Sequence, residues 1–306
     1  KKKKILLLSD DLRMYSGIAT QAKEFVMGTL HKYDWCQIAG AVKHPEQGKI
    51  IDMSQAAQKE WGIDEAYFEI RQDIPIMYYN IWDDIPDPLY NANYYRSSDL
   101  LMSISKQTYG INKRILSKYG YEDWQTQYVP HGITDKRIFK IEEKGDTLFK
   151  EFEQRHGLDK YKFKILFLNR NIRRKSPGDV ALAYKHMMDK LTPEQRKECV
   201  FVFHASPSDE NGTDMRAVCQ TLLPEYPVIF THDNCTNGVF SDEEMNFVFN
   251  SCDVYINMAS NEGFGLGSCE MLHTGGCIVV NVTGGLQDQC GFMDVDPTGG
   301  AFRYLD

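Results

Sequence analysis

The sequence predicts an α/β protein with two parallel-sheet units. Two observations carry the prediction. Short apolar runs of strand length alternate with helical stretches twice along 306 residues, the order that yields parallel sheets. Between the two series, residues 134–162 turn charged and polar, as chain crossing between domains does. The division is set at 140, giving domains 1–140 and 141–306, and the length suits two domains of ordinary size.

KILLLS (4–9) reads as a buried strand, because a short apolar run ends in polar residues. A loop through Asp10–Ser16 leads to a helix with Ile18, Ala22, Phe25, Val26 and Leu30 on one face. WCQIAGAV (35–42), IPIMYYNIW (74–82) and DLLMSIS (99–105) follow as strands. A polar helix to about Tyr119 and a strand QYVP (127–130) close the first half. After the charged connector, with a short helix of its own, KILFLN (164–169) restarts the pattern. A helix then begins with Ser176 as N-cap, Pro177 in the first position and Asp179 in the first turn. VFVFH (200–204), PVIFTH (227–232), DVYINMA (253–259) and CIVVNV (277–282) are the remaining strands. Ser241 and Glu244 form a capping box before a helix carrying Met245, Val248 and Phe249.

Composition excludes several classes. A net charge of −8 weighs against nucleic acid as a partner. The lysines at Lys1–Lys4, without an apolar anchor, support at most peripheral contact with an anionic membrane. No apolar run approaches the length needed to span a bilayer, and the start has no secretory core, so the cytoplasm is expected. Eight cysteines form no CxxC pair; the HxxC of His232 and Cys235 is the nearest approach to a zinc motif, and reduced thiols are expected. The sequons at Asn211, Asn234 and Asn281 carry no weight without a secretory signal. Neither GxGxxG nor GxxxxGK is present, which disfavours an NAD-binding first domain and a P-loop kinase.

The chemistry concentrates at strand ends, where ligands of open parallel sheets bind. In NEGFGLGSCE (261–270), Glu262 follows a strand and Glu270 lies in the first turns of a helix. Gly263 and Gly265 between them leave backbone N–H groups open to close approach, and a helix N-terminus favours a diphosphate. Carboxylates suit hydroxyl groups instead, so one loop with both fits a nucleotide sugar. The same spacing also suits a helix-capping glutamate beside a tight turn, and spacing alone does not choose. NRNIRRK (169–175) also follows a strand; of Arg170, Arg173, Arg174 and Lys175, those pointing inward could neutralise a diphosphate, and a solvated basic turn is the alternative. Gly17 gives the first helix a turn that could face phosphate. Asp83, in Asp83-Asp84 before Pro86, is a candidate catalytic carboxylate or a turn former. His131 in VPHGI could reach a ligand or serve structure, and Asp294-x-Asp296 has the spacing of a metal-binding pair without other support.

The order of these motifs resembles retaining glycosyltransferase family 4, whose fold is GT-B: two Rossmann-like domains facing a central cleft. SNEGFGLGSCEML is similar to the family's signature of two glutamates separated by seven residues. CDVYINMAS is similar to its preceding strand, and GGCIVVNVTGG to its following strand and turn with Gly284-Gly285. LNRNIRRKSP, VPHGITDKRIF and YSGIATQAKEF resemble the Arg…Lys-Gly segment, the Pro-Asn-Gly-Val-Asp…Phe segment and the glycine-led first helix. The resemblance implies a metal-independent hexosyl transfer that retains anomeric configuration, from a UDP- or GDP-type donor bound by the second domain to an acceptor on the first. Glu262 would contact the donor sugar, Glu270 the ribose, Gly263, Phe264, Gly265 and Leu266 the sugar and phosphate, and Arg170 and Lys175 the diphosphate. Ser176 stands where the family has Gly, His131 where it has Asn, and Asn80 near its usual His, and the chain ends soon after Gly285. No cofactor is implied. The acceptor, whether glycan, lipid, protein or small molecule, is not specified, and a nucleotide-sugar-binding protein without turnover and a GT-B epimerase remain as alternatives.

Overall fold

The computed structural model describes residues 2–40, 75–142, 146–235 and 240–291. Lys1, residues 41–74 and Asp294-x-Asp296 lie outside the described residues, so the ends of two predicted strands and the acidic pair do too. The chain forms two compact units, residues 1–76 and 77–306. The predicted division at 140 falls inside the second unit, between its two sheets.

In the first unit β1 (Lys3–Asp10) and β2 (Tyr33–Gly40) pair in parallel from Lys3↔Tyr33 to Asp10↔Gly40. Between them lies α1 (Gly17–Thr29), whose N-cap Ser16 accepts from the Ala19 N–H at 3.1 Å. Two expectations need correction. The first strand is not buried: Ile5, Leu6 and Leu7 are half-buried, and Leu8 is 67% exposed. On α1 the buried apolar positions are Ala19, Ala22 and Val26, while Ile18, Phe25 and Leu30 stay exposed. The buried line keeps Ala22 and Val26 of the predicted face and takes Ala19 in place of Ile18.

In the second unit β3 (Met77–Asn80), β4 (Leu100–Ser103) and β5 (Thr126–Tyr128) form a parallel sheet. Against it pack α2 (Ala92–Arg96) and α3 (Lys106–Leu116), through Tyr95, Leu101, Ile111 and Ile115. The next segments are α4 (Thr147–His156), β6 (Phe163–Leu168), α5 (Pro177–Asp189), α6 (Pro193–Glu198) and β7 (Cys199–His204). They are followed by α7 (Met215–Leu222), β8 (Val228–Phe230), α8 (Asp242–Ser251) and β9 (Val254–Asn257). The last are α9 (Leu266–His273), β10 (Cys277–Val280) and α10 (Gly284–Gln289).

The second sheet runs β10-β9-β6-β7-β8, all parallel. Alternate side chains go to opposite faces: Leu166, Val200 and Val202 enter one core, and Ile165, Phe167, Phe201 and Phe203 the other. A strand buried on both faces reads as a continuous apolar run, which is why KILFL and VFVF stand out. After β8 the chain crosses to the far side of β6 to make β9. The order therefore reverses between β6 and β9, the position where ligands bind beyond the carboxyl ends.

The two sheets of this unit are tied through α10. Asp288 Oδ2 accepts from the Lys106 N–H and from Tyr128 Oη, each at 2.9 Å. Gln107 Oε1 accepts from the Gly284 N–H at 3.1 Å and from Gln287 Nε2 at 3.2 Å. Among the described residues no helix is long and apolar enough to cross a membrane.

Candidate functional site

At the switch point the end of β6 is fastened to β9: Asn169 Nδ2 donates to Tyr255 Oη at 2.8 Å, and Tyr255 Oη donates to the Leu168 carbonyl at 3.0 Å. Arg173, Arg174 and Lys175 then form a single 3₁₀ turn. Ser176 closes it in the left-handed region at φ 49° and makes no side-chain cap, although it holds the predicted N-cap position. The turn folds Lys175 inward until 6% of it is exposed. Its ammonium pairs with the Glu262 carboxylate, itself mostly buried. Burial pushes the Lys175 pKa below its usual value, and Glu262 opposes this.

The loop carrying Glu262 is held from several sides. Arg174 Nη1 donates to the Asn261 carbonyl at 2.7 Å, and the Ser260 N–H to the Arg174 carbonyl at 2.9 Å. Asn261 Nδ2 donates to the Asp83 carbonyl at 3.2 Å, and the Asp83 carboxylate lies 3.6 Å from the Arg174 guanidinium. The Gly285 N–H donates to the Glu262 carbonyl at 3.0 Å. That approach demands glycine: a Cβ on Gly284, whose φ is 46°, would sit 1.7 Å from the Glu262 oxygen. One on Gly285 would sit 2.4 Å from Phe264 Cα.

Gly263 and Gly265 serve packing as well as access. A Cβ on Gly263 would meet Ile81 at 2.9 Å, and one on Gly265, at φ 87°, would meet Leu286 at 2.5 Å. Protein fills the side-chain side of both glycines. The N–H groups of Gly263, Phe264 and Gly265 nevertheless donate to no acceptor among the described residues. Phe264 is buried edge-on against His131, with ring centroids 5.1 Å apart. Tyr79 Oη donates to the Val129 carbonyl at 2.8 Å and lies 2.8 Å from His131 Nδ1, so Nδ1 carries the imidazole proton toward it. Burial lowers the His131 pKa to about 4, which keeps the ring neutral with Nε2 as an acceptor.

Leu266 opens α9, and Glu270 follows one turn later with 5% of its surface exposed. Its carboxylate pairs with Arg137, which stands on the turn after β5. Burial raises the Glu270 pKa, and Arg137 works against the rise. Arg137 is the residue that sequence reasoning missed. It sits in TDKRIF, where nothing local distinguishes it from the neighbouring Lys136.

The expected site residues do not all converge. Lys175, Arg174, Asp83, Glu262 and His131 meet around the loop. Arg170 turns elsewhere: its guanidinium, 60% exposed, donates to both oxygens of Asp209 at 2.8 and 3.2 Å. Asn80 is 1% exposed and donates to Asn112 Oδ1 at 2.6 Å, so its side chain belongs to the core of its own sheet. Gly17 opens α1 in the first unit, where Ser16 supplies the cap. No group of three or more His, Cys, Asp or Glu side chains among the described residues is arranged to hold a metal ion.

The parallel sheets make this an α/β fold, and its likeness to solved structures places that fold in the GT-B class. No protein-family model matches the chain, and no curated protein matches it. Solved structures do. HepE from Anabaena, in complex with UDP and glucose, is 12% identical, with 94% of this chain and 83% of that one covered and a TM-score of 0.63. The α,α-trehalose 6-phosphate synthase of Burkholderia multivorans is 11% identical over 97% and 88% of the two chains, with a TM-score of 0.68. WaaG, a glycosyltransferase involved in lipopolysaccharide biosynthesis, is 13% identical over 94% and 82%, with a TM-score of 0.59. At such identities the likeness shows the fold.

Proposed function

We propose that this chain is a nucleotide-sugar-dependent glycosyltransferase, similar to retaining family 4, that moves a hexose from a UDP- or GDP-type donor to an acceptor hydroxyl without a metal ion. The observation that carries the reading is the Lys175–Glu262 pair at the switch point, beside three backbone N–H groups without acceptors among the described residues. A donor diphosphate would take the Lys175 ammonium from Glu262 and meet those N–H groups. Glu262 would then accept hydrogen bonds from the sugar, and Glu270 from the ribose. As the acceptor oxygen bonds to the anomeric carbon, the bond to the diphosphate breaks, its electron pair leaves with the phosphate oxygen, and that oxygen takes the acceptor's hydroxyl proton. Attack from the leaving-group face retains configuration, and Lys175 stabilises the charge that develops. HepE, solved with UDP and glucose, supports the donor class.

A thermal-shift series with UDP-, GDP-, ADP- and TDP-sugars tests this, because a specific donor stabilises the folded chain by mass action. One donor is expected to raise the melting temperature, and transfer is expected to survive a chelator. Stabilisation by none of the four would overturn the reading. A second reading, donor binding without turnover, is favoured by Arg170 being engaged with Asp209 and Asn80 with Asn112. Donor binding with neither transfer nor hydrolysis across an acceptor panel would select it.

A further inference from the structure

Arg137 is placed with more care than a structural ion pair requires. The segment that follows it is clamped from α8: Asn246 Oδ1 accepts from the Phe139 N–H at 3.0 Å, and Asn250 Oδ1 from the Ile141 N–H at 2.9 Å. On its other side the Arg137 N–H donates to the Thr134 carbonyl at 3.2 Å, and Ile138 is wholly buried. From this mount the guanidinium reaches Oε1 of Glu270, leaving Oε2 without a hydrogen-bond donor among the described residues. Arg137 Nε is buried and also has no partner. Burying two charges with an unsatisfied donor is a poor way to gain stability, since desolvation offsets the attraction.

We propose that Arg137 is a positioning residue that holds the Glu270 carboxylate charged and aimed, with Oε2 free to accept from the donor's ribose hydroxyls. The inference rests on the nucleotide-sugar reading above. The groups facing Glu270 explain the need for a cation. Asp242, at the start of α8, adds like charge, and Tyr255 from β9 and Cys269 on the same helix are neutral. Burial alone already favours the protonated acid. Arg137, on the segment between β5 and α4, is the cation that counters it. A neutral carboxyl would lose the charge-assisted hydrogen bond, worth about tenfold to hundredfold in affinity.

The test is calorimetric titration of the full chain with UDP and GDP, their 2′,3′-dideoxy counterparts and inorganic diphosphate, at pH 6.0 and 8.5. Wild type is expected to prefer ribose by about tenfold or more at both pH values. Arg137→Gln should weaken the preference, and more at pH 6.0 than at pH 8.5, while diphosphate affinity stays unaltered. Arg137→Lys, which keeps the charge, should retain most of the preference at both. An Arg137→Gln preference equal to wild type at both pH values overturns the proposal, as does equal weakening of all ligands. If Arg137→Gln does not fold, Arg137→Lys decides: a preference lost at both pH values overturns it, and one retained supports it. Wild type that binds neither nucleotide is a separate result, and it removes the functional reading first.

Discussion

Replacing His156 by phenylalanine should stabilise the protein, and more so in acid. His156 ends α4, 4% exposed, with ring centroids 4.5 Å from Phe152 and 5.3 Å from Phe240. Neither ring nitrogen has a hydrogen-bond partner among the described residues. An unpaired buried polar group costs about 1–3 kcal/mol, so a ring of similar shape without nitrogens should gain about 1 kcal/mol at pH 7.5. Acid enlarges the gain. Burial, aided by Arg155, lowers the His156 pKa from 6.5 to about 4, so the unfolded chain takes up a proton that the folded chain refuses. Stability is therefore complete above 6.5 and falls as pH drops through the window toward 4. At pH 5.0 those two values give a loss of about 2 kcal/mol for this residue. The advantage of His156→Phe should thus grow from about 1 to about 3 kcal/mol between pH 7.5 and 5.0. Urea unfolding of both chains at the two pH values measures it. His131, lowered by burial to about 4 as well, cancels in the comparison, whereas His204 is lowered in part by His156 and gains slightly in basicity when that ring is replaced. An advantage that does not change with pH would refute the reasoning.

Three more outcomes are expected. Ser176→Gly should stabilise by about 1 kcal/mol in urea titration, because a non-glycine residue at φ 49° is strained and its hydroxyl makes no cap; a loss of stability would show that the hydroxyl is used. Gly284→Ala should abolish donor-induced thermal stabilisation, since its Cβ cannot coexist with the Glu262 carbonyl 1.7 Å away; donor stabilisation equal to wild type would contradict this. Lys175→Ala should slow transfer by about 10²–10³, as loss of a leaving-group stabiliser does, whereas Arg170→Ala should cost less than about tenfold because its guanidinium is held by Asp209. Equal losses in kcat would return Arg170 to the diphosphate.

The fold was legible because its informative strands are buried on both faces. Residues 164–168 and 200–204 can hardly be read otherwise, and the capping box of Ser241 and Glu244 appears as predicted, with both hydrogen bonds formed. α6 also has a readable start in Thr192, Pro193 and Gln195, whereas α2 and α10 are too short to establish a helical period. At the site, strand ends told which segments would gather, as Lys175 and Glu262 do. What they could not tell was the choice of partner. Arg170 and Lys175 lie five residues apart, yet one pairs with Asp209 and the other, at the end of the 3₁₀ turn, with Glu262. Arg137 meets Glu270 across 133 positions of sequence, beyond the reach of any local pattern. Burial was misjudged on α1 for a related reason: periodicity names an apolar face but does not fix how a helix rolls on its sheet.

The glycine pair at 284–285 has a mechanical consequence. The Gly284 N–H is fastened to Gln107 at the start of α3, and the Gly285 N–H to the carbonyl of Glu262. Two adjacent amides thus couple a helix of the β3–β5 sheet to the backbone of the residue that would touch the donor sugar. The linkage is short and has no side-chain slack on the Glu262 side. A small displacement of α3, such as a molecule settling against the β3–β5 sheet would produce, would act on the Glu262 backbone as a pushrod acts on a valve.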